Sequence, residues 1–426
     1  FKVPQEMPLT TGNIKRSDIA AGGSYFYQVH PSMAMPDFGV INGAVNAVAI
    51  APNGDIYVGG NFSFITGAAC NTSNIARWDG TTWHPLGANN RNGVDGTVYA
   101  ITILANNNVF VGGRFDNAYN SDGTSVPAQN IARWNGSEWL TLGEAVLLGN
   151  GVSGDDPVRG SPAPGTVYAL AHSADGFVFI GGNFRHYHVS YNTFVAGEGH
   201  LWNFVLWKPD NTWGAWNYTN VGYSTEQYVR SLVWTGGPLF YTTGSGGTLY
   251  AGGYFTGAGD YTTQNVASFH YTLGYRSEWQ PAGYFFTQPV SDVAVDTSTG
   301  MVYAASEDYY NSVLYHIFQF DPATWAWKGI SMSGVATGAV SALAADARGN
   351  VFGGTTNGDL LIYRSDHSFN STMFDWLENE GVPIGDLLVD CRLPDHSGPV
   401  LVDRGSTASS KGGIKRWALE CVFRYN

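Results

Sequence analysis

One segment of the chain, residues 185–202, concentrates histidine and aromatic residues in the sequence RHYHVSYNTFVAGEGHLW. A His-x-His pair with a third histidine has the donor atoms of a transition-metal site. Clustered tyrosine and tryptophan side chains are also typical of surfaces that contact glycans or proteins. The spacing of these residues does not decide between three alternatives, which are a metal site, a contact surface for glycans or proteins, and packing within the loop itself. The candidate contact residues are His186, Tyr187, His188, Tyr191, His200 and Trp202.

A second segment, DNAYNSDGTS at 116–125, carries oxygen donors suited to calcium. Asp116, Asn120 and Asp122 are the candidate ligands, and Tyr119 is a further candidate for contact with a partner. The segment lacks the terminal bidentate glutamate of a complete calcium loop, and the Gly-Asp-Asp run at 154–156 matches no better. We therefore expect no cofactor, and a structural calcium is retained as an alternative.

Motifs of catalytic sites are missing from the sequence. It has no GxSxG, no HExxH and no glycine-rich phosphate loop between a strand and a helix. Acidic side chains from distant repeats can still assemble into a hydrolytic site. We therefore expect a non-catalytic protein and retain a secreted enzyme as one alternative.

Composition excludes several classes of protein. The 426 residues carry a net charge of −13 and only 13% charged residues, about half the roughly 25% of a usual soluble domain. The chain is too rich in aromatic side chains to be disordered. It lacks the basic surface of a nucleic-acid binder and any apolar run long enough to span a membrane. Low charge with much Gly, Asn, Thr and Tyr favours an extracellular location or the surface of a cell or particle. The start at Phe1 favours a processed or truncated form.

Of the three cysteines, Cys391 and Cys421 fall in the same repeat and are expected to form a disulfide. Cys70 is then left as a free thiol or an intermolecular link. Asn-x-Ser/Thr sequons permit glycosylation, but about four would arise by chance in such a composition. The sequons begin at Asn61, Asn71, Asn135, Asn217 and Asn370.

An internal repeat dominates the chain. Its first copy joins VNAVAI at 45–50, NGDIYVGGNF at 53–62 and NIARWDGTTWHPLG at 74–87. Each copy holds four short apolar segments separated by turn residues, and no stretch has a helical period. The repeat predicts an all-β fold: a seven-bladed β-propeller of four-stranded antiparallel blades over 45–426, preceded by an N-terminal extension at 1–44. Further copies begin at residues 98, 167, 229, 290, 340 and 384, the last of them faint.

Recurring residues of the repeat have structural roles. The glycine pair that ends the second apolar segment is expected where backbones crowd and side chains are excluded. Asp79-Gly80, like the equivalent Asn-Gly of the second copy, predicts a two-residue hairpin turn across which two tryptophans pair. Arg77 and Arg133 occupy one strand position. We expect each to form a structural ion pair or to stack on a neighbouring tryptophan.

The order of a glycine pair followed by W-D/N-G-x-x-W resembles kelch-like propellers and the repeats of cell-surface propellers. The form GGxF…NIARWDGxxWxxLG is most similar to the propeller repeats of the fungal cortical polarity-marker family and of bacterial secreted proteins. The resemblance covers roughly residues 45–330 well. It implies a non-catalytic surface or extracellular propeller, and it supplies no catalytic residues to transfer.

Strand order within a blade places the long connections on one face. With strands a to d running outward from the axis, the a–b and c–d turns share one face, and the b–c and d–a loops share the other. In this sequence the first class is short, and the second is long in repeats one to four. Because loops on a rigid scaffold carry binding, we expect the partner to bind this loop-rich face.

The N-terminal extension repeats an outer-strand motif. Residues 13–16, NIKR, resemble NIAR at 74–77 and GIKR at 413–416. The chain thus has one outer-strand pair more than seven blades need. The pair forms an additional hairpin, closes the ring in place of part of the last repeat, or adds to a sheet edge of another molecule. The sequence leaves these three alternatives open.

The leading prediction for function is a structural or protein-interaction module within an extracellular or particle-surface assembly. Its expected partners are other proteins of the assembly, with a second copy of the chain as one alternative, and nucleic acid is not expected. The main alternative is a glycan-binding propeller in which loop aromatics stack on sugars.

Overall fold

The computed structural model consists of strands and turns, with no helix in the residues that it describes. For several short strands that lie outside the ranges given next, only the backbone is described. The residues described with their side chains are 41–65, 71–87, 91–142, 165–184, 202–213, 221–222, 226–236, 246–270, 279–282, 286–309, 311, 313–330, 339–345 and 350–356.

The strands form successive antiparallel sheets, numbered here along the chain after the first strand, β1 (Tyr27–Val29). Sheet 1 contains β2 (Ala44–Ile50), β3 (Ile56–Asn61), β4 (Ile75–Trp78) and β5 (Trp83–Pro85). Sheet 2 contains β6 (Thr97–Ile103), β7 (Val109–Arg114), then an inserted hairpin of β8 (Asn117–Tyr119) and β9 (Ser125–Pro127), then β10 (Ile131–Trp134) and β11 (Trp139–Leu140).

Sheets 3 and 4 have four main strands each, with short strand pairs in their connections. In sheet 3, β12 (Val152–Ser153) precedes β13 (Thr166–His172) and β14 (Val178–Asn183), and β15 (His186–Tyr187) precedes β16 (Phe204–Trp207) and β17 (Trp213–Gly214). In sheet 4, β18 (Tyr228–Trp234) and β19 (Thr248–Tyr254) are followed by the small pair β20 (Gly257–Ala258) and β21 (Tyr261–Thr262), then β22 (Val266–His270) and β23 (Glu278–Pro281).

The remaining sheets are simpler. Sheet 5 contains β24 (Asp292–Val295), β25 (Val302–Tyr310), β26 (Val313–Asp321) and β27 (Ala326–Ile330). Sheet 6 contains β28 (Val340–Ala345), β29 (Val351–Thr355), β30 (Leu360–Tyr363) and β31 (Phe369–Asn370). Sheet 7 contains β32 (Ile384–Val389), β33 (Pro399–Asp403) and β34 (Gly413–Arg416), and the chain ends with β35 (Leu419–Cys421).

The first strand of each sheet lies beside the first strand of the next. Contacts run from β2 to β6, β13, β18, β24, β28 and β32 in turn, and β32 contacts β2 again. These seven strands are called the inner strands below. The arrangement is that of an all-β, propeller-type domain of antiparallel sheets, as the repeat predicted. Sheet 7 has three paired strands where the repeat predicted four.

The hydrophobic core lies mainly between adjacent sheets. One cluster joins Tyr57 and Ile75 of sheet 1 to Val111 of sheet 2. Similar clusters join sheets 2 and 3, 3 and 4, 4 and 5, and 5 and 6. Burying one such large apolar side chain stabilises the fold by about 1.5–3 kcal/mol. Each sheet is therefore held mainly by its two neighbours in the sequence.

The glycine pairs allow this close approach of sheets. A Cβ on Gly59 would lie 2.3 Å from Cγ1 of Val98 in sheet 2, and one on Gly60 would lie 2.0 Å from the carbonyl oxygen of Ala44 in its own sheet. The first glycine thus excludes a side chain from the next sheet, and the second excludes one from the paired strand, which confirms the predicted crowding. Equivalent contacts face Gly112 with Val167, Gly181 with Val229, and Gly252 with Val290.

The paired tryptophans pack as predicted. Trp78 lies opposite Trp83 in the outer strands of sheet 1, with ring centroids 5.4 Å apart. Trp134 and Trp139 repeat this geometry in sheet 2, at 5.4 Å. The Nε1–H of Trp139 also donates a hydrogen bond of 3.0 Å to the Leu86 carbonyl, which links sheet 2 to sheet 1.

The two repeated arginines have the expected structural roles. Arg77 forms an ion pair with Asp55 within sheet 1, with 3.0 Å between nitrogen and oxygen. The guanidinium of Arg133 lies 5.4 Å from the ring centroid of Trp207 in sheet 3, within the range of a cation–π contact. Both contacts lie within or between neighbouring sheets and account for the arginines without a ligand.

The prediction of two-residue hairpin turns was wrong. In sheet 1 the strands end at Trp78 and resume at Trp83, so the connection is the four residues 79–82. Only Gly80 has a positive φ, of 100°. The Asp79 carboxylate accepts 2.8 Å hydrogen bonds from the backbone N–H groups of the two threonines that follow Gly80. This side-chain acceptor closes a longer turn with one left-handed residue, and the Asn-Gly turn of sheet 2 is built in the same way.

The two ends of the chain meet. Strand β1 pairs antiparallel with β35, and Tyr27 lies opposite Cys421. This pairing occurs within a single chain. The outer-strand motif at 13–16 lies outside the described residues, and the role of the N-terminal extension stays a prediction.

Candidate functional site

The b–c and d–a connections meet on one face, which is called the loop-rich face below. Strand β12, in a d–a connection, pairs with β15, in a b–c connection. Isolated bridges join the same two classes of connection at Val94 with Ala118 and at Val221 with Ala258. The predicted clustering of the long loops on one side of the sheets is therefore present.

An asparagine in each of sheets 1 to 4 fastens these loops. Asn203 has a φ of 62°, its Oδ1 accepts a 3.2 Å hydrogen bond from the Phe184 N–H, and its Nδ2 donates one of 2.9 Å to the Val221 carbonyl. The side chain thus joins a b–c loop to the following d–a loop. Asparagine tolerates this left-handed backbone conformation better than most residues. Equivalent residues are Asn74, Asn130 and Asn265.

The inserted hairpin β8–β9 rests on a polar framework. Asp95 accepts hydrogen bonds from the backbone N–H groups of Asp116 and Asn117, at 2.8 and 2.9 Å. Tyr119, a candidate for partner contact, is 7% exposed. The guanidinium carbon of Arg91 lies 4.1 Å from the centroid of the Tyr119 ring. The tyrosine contributes to the base of the hairpin.

Two of the three candidate calcium ligands already accept hydrogen bonds from the protein. The Asn120 Oδ1 accepts a 2.5 Å hydrogen bond from the Trp139 N–H. The Asp122 Oδ1 accepts two hydrogen bonds from Thr124, and these donors lower the pKa of the Asp122 carboxyl. Asp116 is exposed. In the part of the chain that the structure describes, no three His, Cys, Asp or Glu side chains are grouped as a metal would require.

The histidine-rich segment is described only at its ends. His186 and Tyr187 form β15, and Trp202 is half-buried just before β16. The remaining candidates, His188, Tyr191 and His200, lie outside the described residues. Metal binding and partner contact by this segment stay predictions.

The cysteines and sequons are also only partly described. Cys421 lies in β35, whereas Cys70 and Cys391 lie outside the described residues, so the disulfide stays a prediction. Three sequon asparagines are exposed, one lies in β31, and Asn217 lies outside the described residues. The exposed ones are Asn61, Asn71 and Asn135, and the one in β31 is Asn370.

Exposed apolar side chains are concentrated on the loop-rich face. Of the seven large apolar residues exposed in the described part of the chain, six lie in b–c connections or at their edges. Tyr309, at the tip of the β25–β26 hairpin, is 63% exposed, whereas the one on the opposite face, Trp325, is 39% exposed. We call the six the apolar rim: Phe64, Tyr254, Tyr261, Tyr309, Val313 and Leu314.

The inner strands begin on this same face, and the region of their first residues is called the axial mouth. Near the start of six inner strands the pairing register with the second strand of the sheet shifts by one residue, which leaves a bulge. A bulge redirects the side chain that it carries. The bulged residues are Asn46, Tyr99, Tyr168, Arg230, Ser341 and Gly385.

One side of the axial mouth is aromatic. The ring centroids of Tyr99 and Tyr168 are 5.5 Å apart, those of Tyr168 and Tyr228 are 5.8 Å apart, and those of Tyr228 and Tyr254 are 6.1 Å apart. These four residues form the tyrosine row, which crosses sheets 2, 3 and 4. The guanidinium carbon of Arg230 lies 5.3 Å from the Tyr168 ring centroid.

The other side of the mouth is small and polar. Asn46 donates a 2.9 Å hydrogen bond from Nδ2 to the Val98 carbonyl. Ser291 donates one of 2.7 Å to the Val340 carbonyl, and Ser341 donates one of 3.2 Å to the Gly354 carbonyl. The mouth is therefore asymmetric, with ring faces and a cation on one side and short hydrogen-bonding side chains on the other.

A buried carboxyl group lies below the mouth. Asp292 accepts a 2.6 Å hydrogen bond from the Ser231 hydroxyl, one of 2.6 Å from the Leu343 N–H and one of 2.9 Å from the Val293 N–H. These bonds tie together the inner strands of sheets 4, 5 and 6. Burial raises the pKa of Asp292 despite the three donors. The positive charge of Arg230 also acts on this carboxyl group and favours its ionised form. Its three hydrogen bonds show that it serves to join the inner strands.

Sequence reasoning missed the asparagines that fasten the loops and the tyrosine row. The asparagine stands at one position before the third strand in four copies, so the repeat contained its signal. Tyr99 and Tyr168 also share a repeat position. They occur within alternating apolar segments, where the pattern indicates ordinary strand residues.

Comparison with known proteins supports the propeller assignment. Residues 26–130 match the family model of the Rax2 C-terminal beta propeller domain. The matched part includes β1, sheet 1 and the beginning of sheet 2. The resemblance to the fungal cortical polarity-marker repeats is therefore confirmed over this part of the chain. No curated protein matches the chain.

Two solved structures share the fold. Both are of the extracellular domain of the same protein from B. thetaiotaomicron, described as a one-component system in one and as a hybrid two-component system in the other, at 13% and 14% identity and a TM-score of 0.50. The matches cover 92% and 94% of this chain but 40% of each of those chains, so this chain spans less than half of their length. At this identity the likeness shows the fold alone. Among the described residues, no helix is long and apolar enough to cross a membrane.

Proposed function

We propose that the chain forms a closed seven-bladed propeller that serves as a non-catalytic structural or protein-interaction module in an extracellular or surface assembly. The return of the inner-strand contacts from β32 to β2 supports closure of the ring. The pairing of β1 with β35 supports a role for residues 1–44 in holding the last blade. The extracellular origin of the two similar structures and the low charge of the chain favour the location.

The apolar rim is the observation that carries this proposal. Six exposed apolar side chains share the loop-rich face, whereas one lies elsewhere in the described part of the chain. A concentration of exposed apolar surface on one side of a soluble protein is typical of a protein-binding surface. Aromatic residues are also enriched where protein interfaces gain most of their binding energy. The partner on this face is therefore another protein chain, and a second copy is the first candidate.

The experiment compares a rim variant with a matched variant on the opposite face. Tyr309→Ser with Leu314→Ser removes the most exposed part of the rim, and Trp325→Ser removes the exposed tryptophan of the same sheet. Light scattering should show a mass that rises with concentration for the wild type and for Trp325→Ser, and a monomer for the rim variant.

Two results would contradict the proposal in different ways. A wild-type monomer at every concentration would remove the second copy as partner. If an apolar dye bound equally strongly to the wild type and to the rim variant, the apolar rim would not be the protein-binding surface. Unfolding midpoints within about 2 °C of the wild type would establish that all variants are folded.

We propose glycan binding as a second function, because the tyrosine row places four aromatic side chains at the axial mouth. Tyrosine offers apolar ring faces for the C–H groups of a sugar and a hydroxyl group for its polar edge. This site lies at the inner strands and does not require the outer part of the rim.

A further inference from the structure

We propose that the axial mouth binds a saccharide unit that carries a carboxylate, with the tyrosine row as its platform and Arg230 as its charge partner. This inference rests on the proposed glycan-binding function and names the ligand class of that site. It is carried by the geometry of Arg230, of the tyrosines beside it and of the short side chains opposite.

The tyrosine row leaves aromatic surface available at the mouth. Neighbouring rings are inclined at 59° for Tyr99 and Tyr168 and at 67° for Tyr168 and Tyr228, so they do not cover each other as a closed stack would. Tyr254 at the end of the row is 41% exposed, and the other three are half-buried. Packing between neighbours fixes the rings, which lowers the entropy cost of binding a rigid ligand.

Arg230 has hydrogen-bond donors that the described residues do not use. Its guanidinium lies against the Tyr168 ring, and no carboxylate in the described part of the chain is within ion-pair distance of it. The neighbouring Asp292 carboxylate accepts its hydrogen bonds from a serine hydroxyl and two backbone N–H groups. Arg77, by contrast, is paired with Asp55.

An arginine fork in this position suits a ligand carboxylate. Guanidinium binds carboxylate through two parallel hydrogen bonds, and such charge-assisted bonds are about twice as strong as neutral ones. The half-buried site also reduces solvent screening of the pair. The net charge of −13 disfavours anions at long range, so recognition would depend on this local contact.

The opposite side of the mouth leaves room for the rest of the sugar. Ser291, Ser341 and Asn46 are short, and each fixes its own donor on a backbone carbonyl. The Ser291 hydroxyl donates its hydrogen and keeps an oxygen that accepts from a ligand hydroxyl. Ring faces on one side and acceptors on the other match a pyranose, whose C–H groups and hydroxyls lie on different parts of its surface.

The test uses three probes of similar size on the full chain. Trigalacturonic acid carries the carboxylates, galactotriose is its neutral counterpart, and triglutamate carries the charge without the sugar rings. Titration calorimetry should show trigalacturonic acid binding at least about tenfold more tightly than either of the others, since a charge-assisted contact contributes more than one decade of affinity.

Variants assign the contributions. Arg230→Gln should reduce the affinity for trigalacturonic acid to that for galactotriose, and Arg230→Lys should retain part of the preference. Tyr168→Ala should weaken both sugars about five- to tenfold, whereas Tyr168→Phe keeps the ring. Arg114→Gln, which alters an exposed arginine elsewhere on the loop-rich face, should bind like the wild type.

The outcomes separate the two proposals. Equal binding of both sugars, unaffected by Arg230→Gln, would overturn the acidic ligand and leave glycan binding in place. Equal binding of triglutamate and trigalacturonic acid would overturn the saccharide and leave a site for anions. Binding of neither sugar by a folded wild-type chain would overturn glycan binding itself.

Discussion

Sheets 1 to 4 and sheet 5 fasten their loops with different polar groups. In the first four sheets an asparagine with a positive φ gives its oxygen to the b–c loop, as Asn203 does for Phe184. In sheet 5 a buried aspartate, Asp308, accepts hydrogen bonds from the backbone N–H groups of Thr287 and Gln288 in the preceding d–a loop. Both groups tie strand b to a loop on the same face.

The glycine pair changes in the same place. At the positions of Gly59 and Gly60, sheet 5 has Ala305 and Ser306. There the register shift occurs between β25 and β26, at Ala305 and Asp308, and no shift occurs between β24 and β25. At this point the fold requires that the strands pack closely without a clash and that the N–H groups of the loop have hydrogen-bond acceptors. More than one set of residues meets these two requirements.

The largest expected loss of stability comes from adding a side chain at the crowded glycine pairs of sheets 1 to 4. Gly113→Ala would place a Cβ 2.1 Å from the Thr97 carbonyl oxygen, and Gly112→Ala would place one 2.4 Å from Cγ1 of Val167. A side chain can rotate away, but paired backbone cannot. We expect Gly112→Ala to lower the free energy of unfolding by about 1–3 kcal/mol and Gly113→Ala by more.

Urea unfolding provides the measurement for both variants. Ala305→Gly in sheet 5 is the matched control, and it should cost only about 0.5–1 kcal/mol because it adds backbone freedom without a clash. Wild-type stability in Gly113→Ala would show that crowding does not exclude the side chain.

The next largest effect is expected when the asparagine and the aspartate that hold the loops are exchanged for each other. Asn203→Asp loses the donor to the Val221 carbonyl, and Asp308→Asn places an amide group where both carboxylate oxygens accept hydrogen bonds. Each exchange should lower the free energy of unfolding by about 1–3 kcal/mol, the cost of an unsatisfied buried polar group. Asn203→Gly separates this contribution from backbone strain, because glycine accepts the φ of 62°. Equal stability of both exchanges and the wild type would contradict the distinction between the two fasteners.

The structural features that the sequence predicted are those carried by motifs that recur from copy to copy of the repeat or at every second residue of a strand. Alternating apolar segments indicated the strands, and the spacing of Gly-Gly and Trp motifs indicated where sheets approach and where outer strands pair. These features depend on neighbours within one sheet or on the adjacent copy. Their physical cause is steric, and it is therefore visible in residue size alone.

The features that the sequence did not predict depend on distant or directional contacts. The partners of Asn203 are an N–H before it and a carbonyl after it, and residue type does not show which groups it joins. The four-residue turn at 79–82 depends on one aspartate oxygen that accepts two backbone hydrogen bonds. Tyr99 and Tyr168 come together only when sheets 2 and 3 pack.

The smallest expected effect lies in the c–d turns, where sheets 1 and 5 agree. Asp79 and Asp321 both accept hydrogen bonds from backbone N–H groups of their turns, and these donors hold the pKa of each carboxyl below its ordinary value. Sheet 2 has the neutral Asn135 at the same place, with the same pattern of acceptance. The turns of sheets 1 and 2 therefore differ in charge while sharing their geometry, whereas the turn of sheet 5 has its left-handed residue at Trp325.

Because the pKa of Asp79 is lower in the folded chain than in the unfolded chain, its ionised form stabilises the fold above the unfolded value of about 4. That contribution is lost as the pH falls through the folded value. The melting temperature of Asp79→Ala should therefore lie below that of the wild type at pH 7, and the difference should shrink below pH 4. Asn135→Ala should show a difference that does not change with pH, since an amide does not titrate. Equal differences for Asp79→Ala at pH 7 and pH 2.5 would show that the charge of the aspartate contributes nothing beyond the acceptor that asparagine also provides.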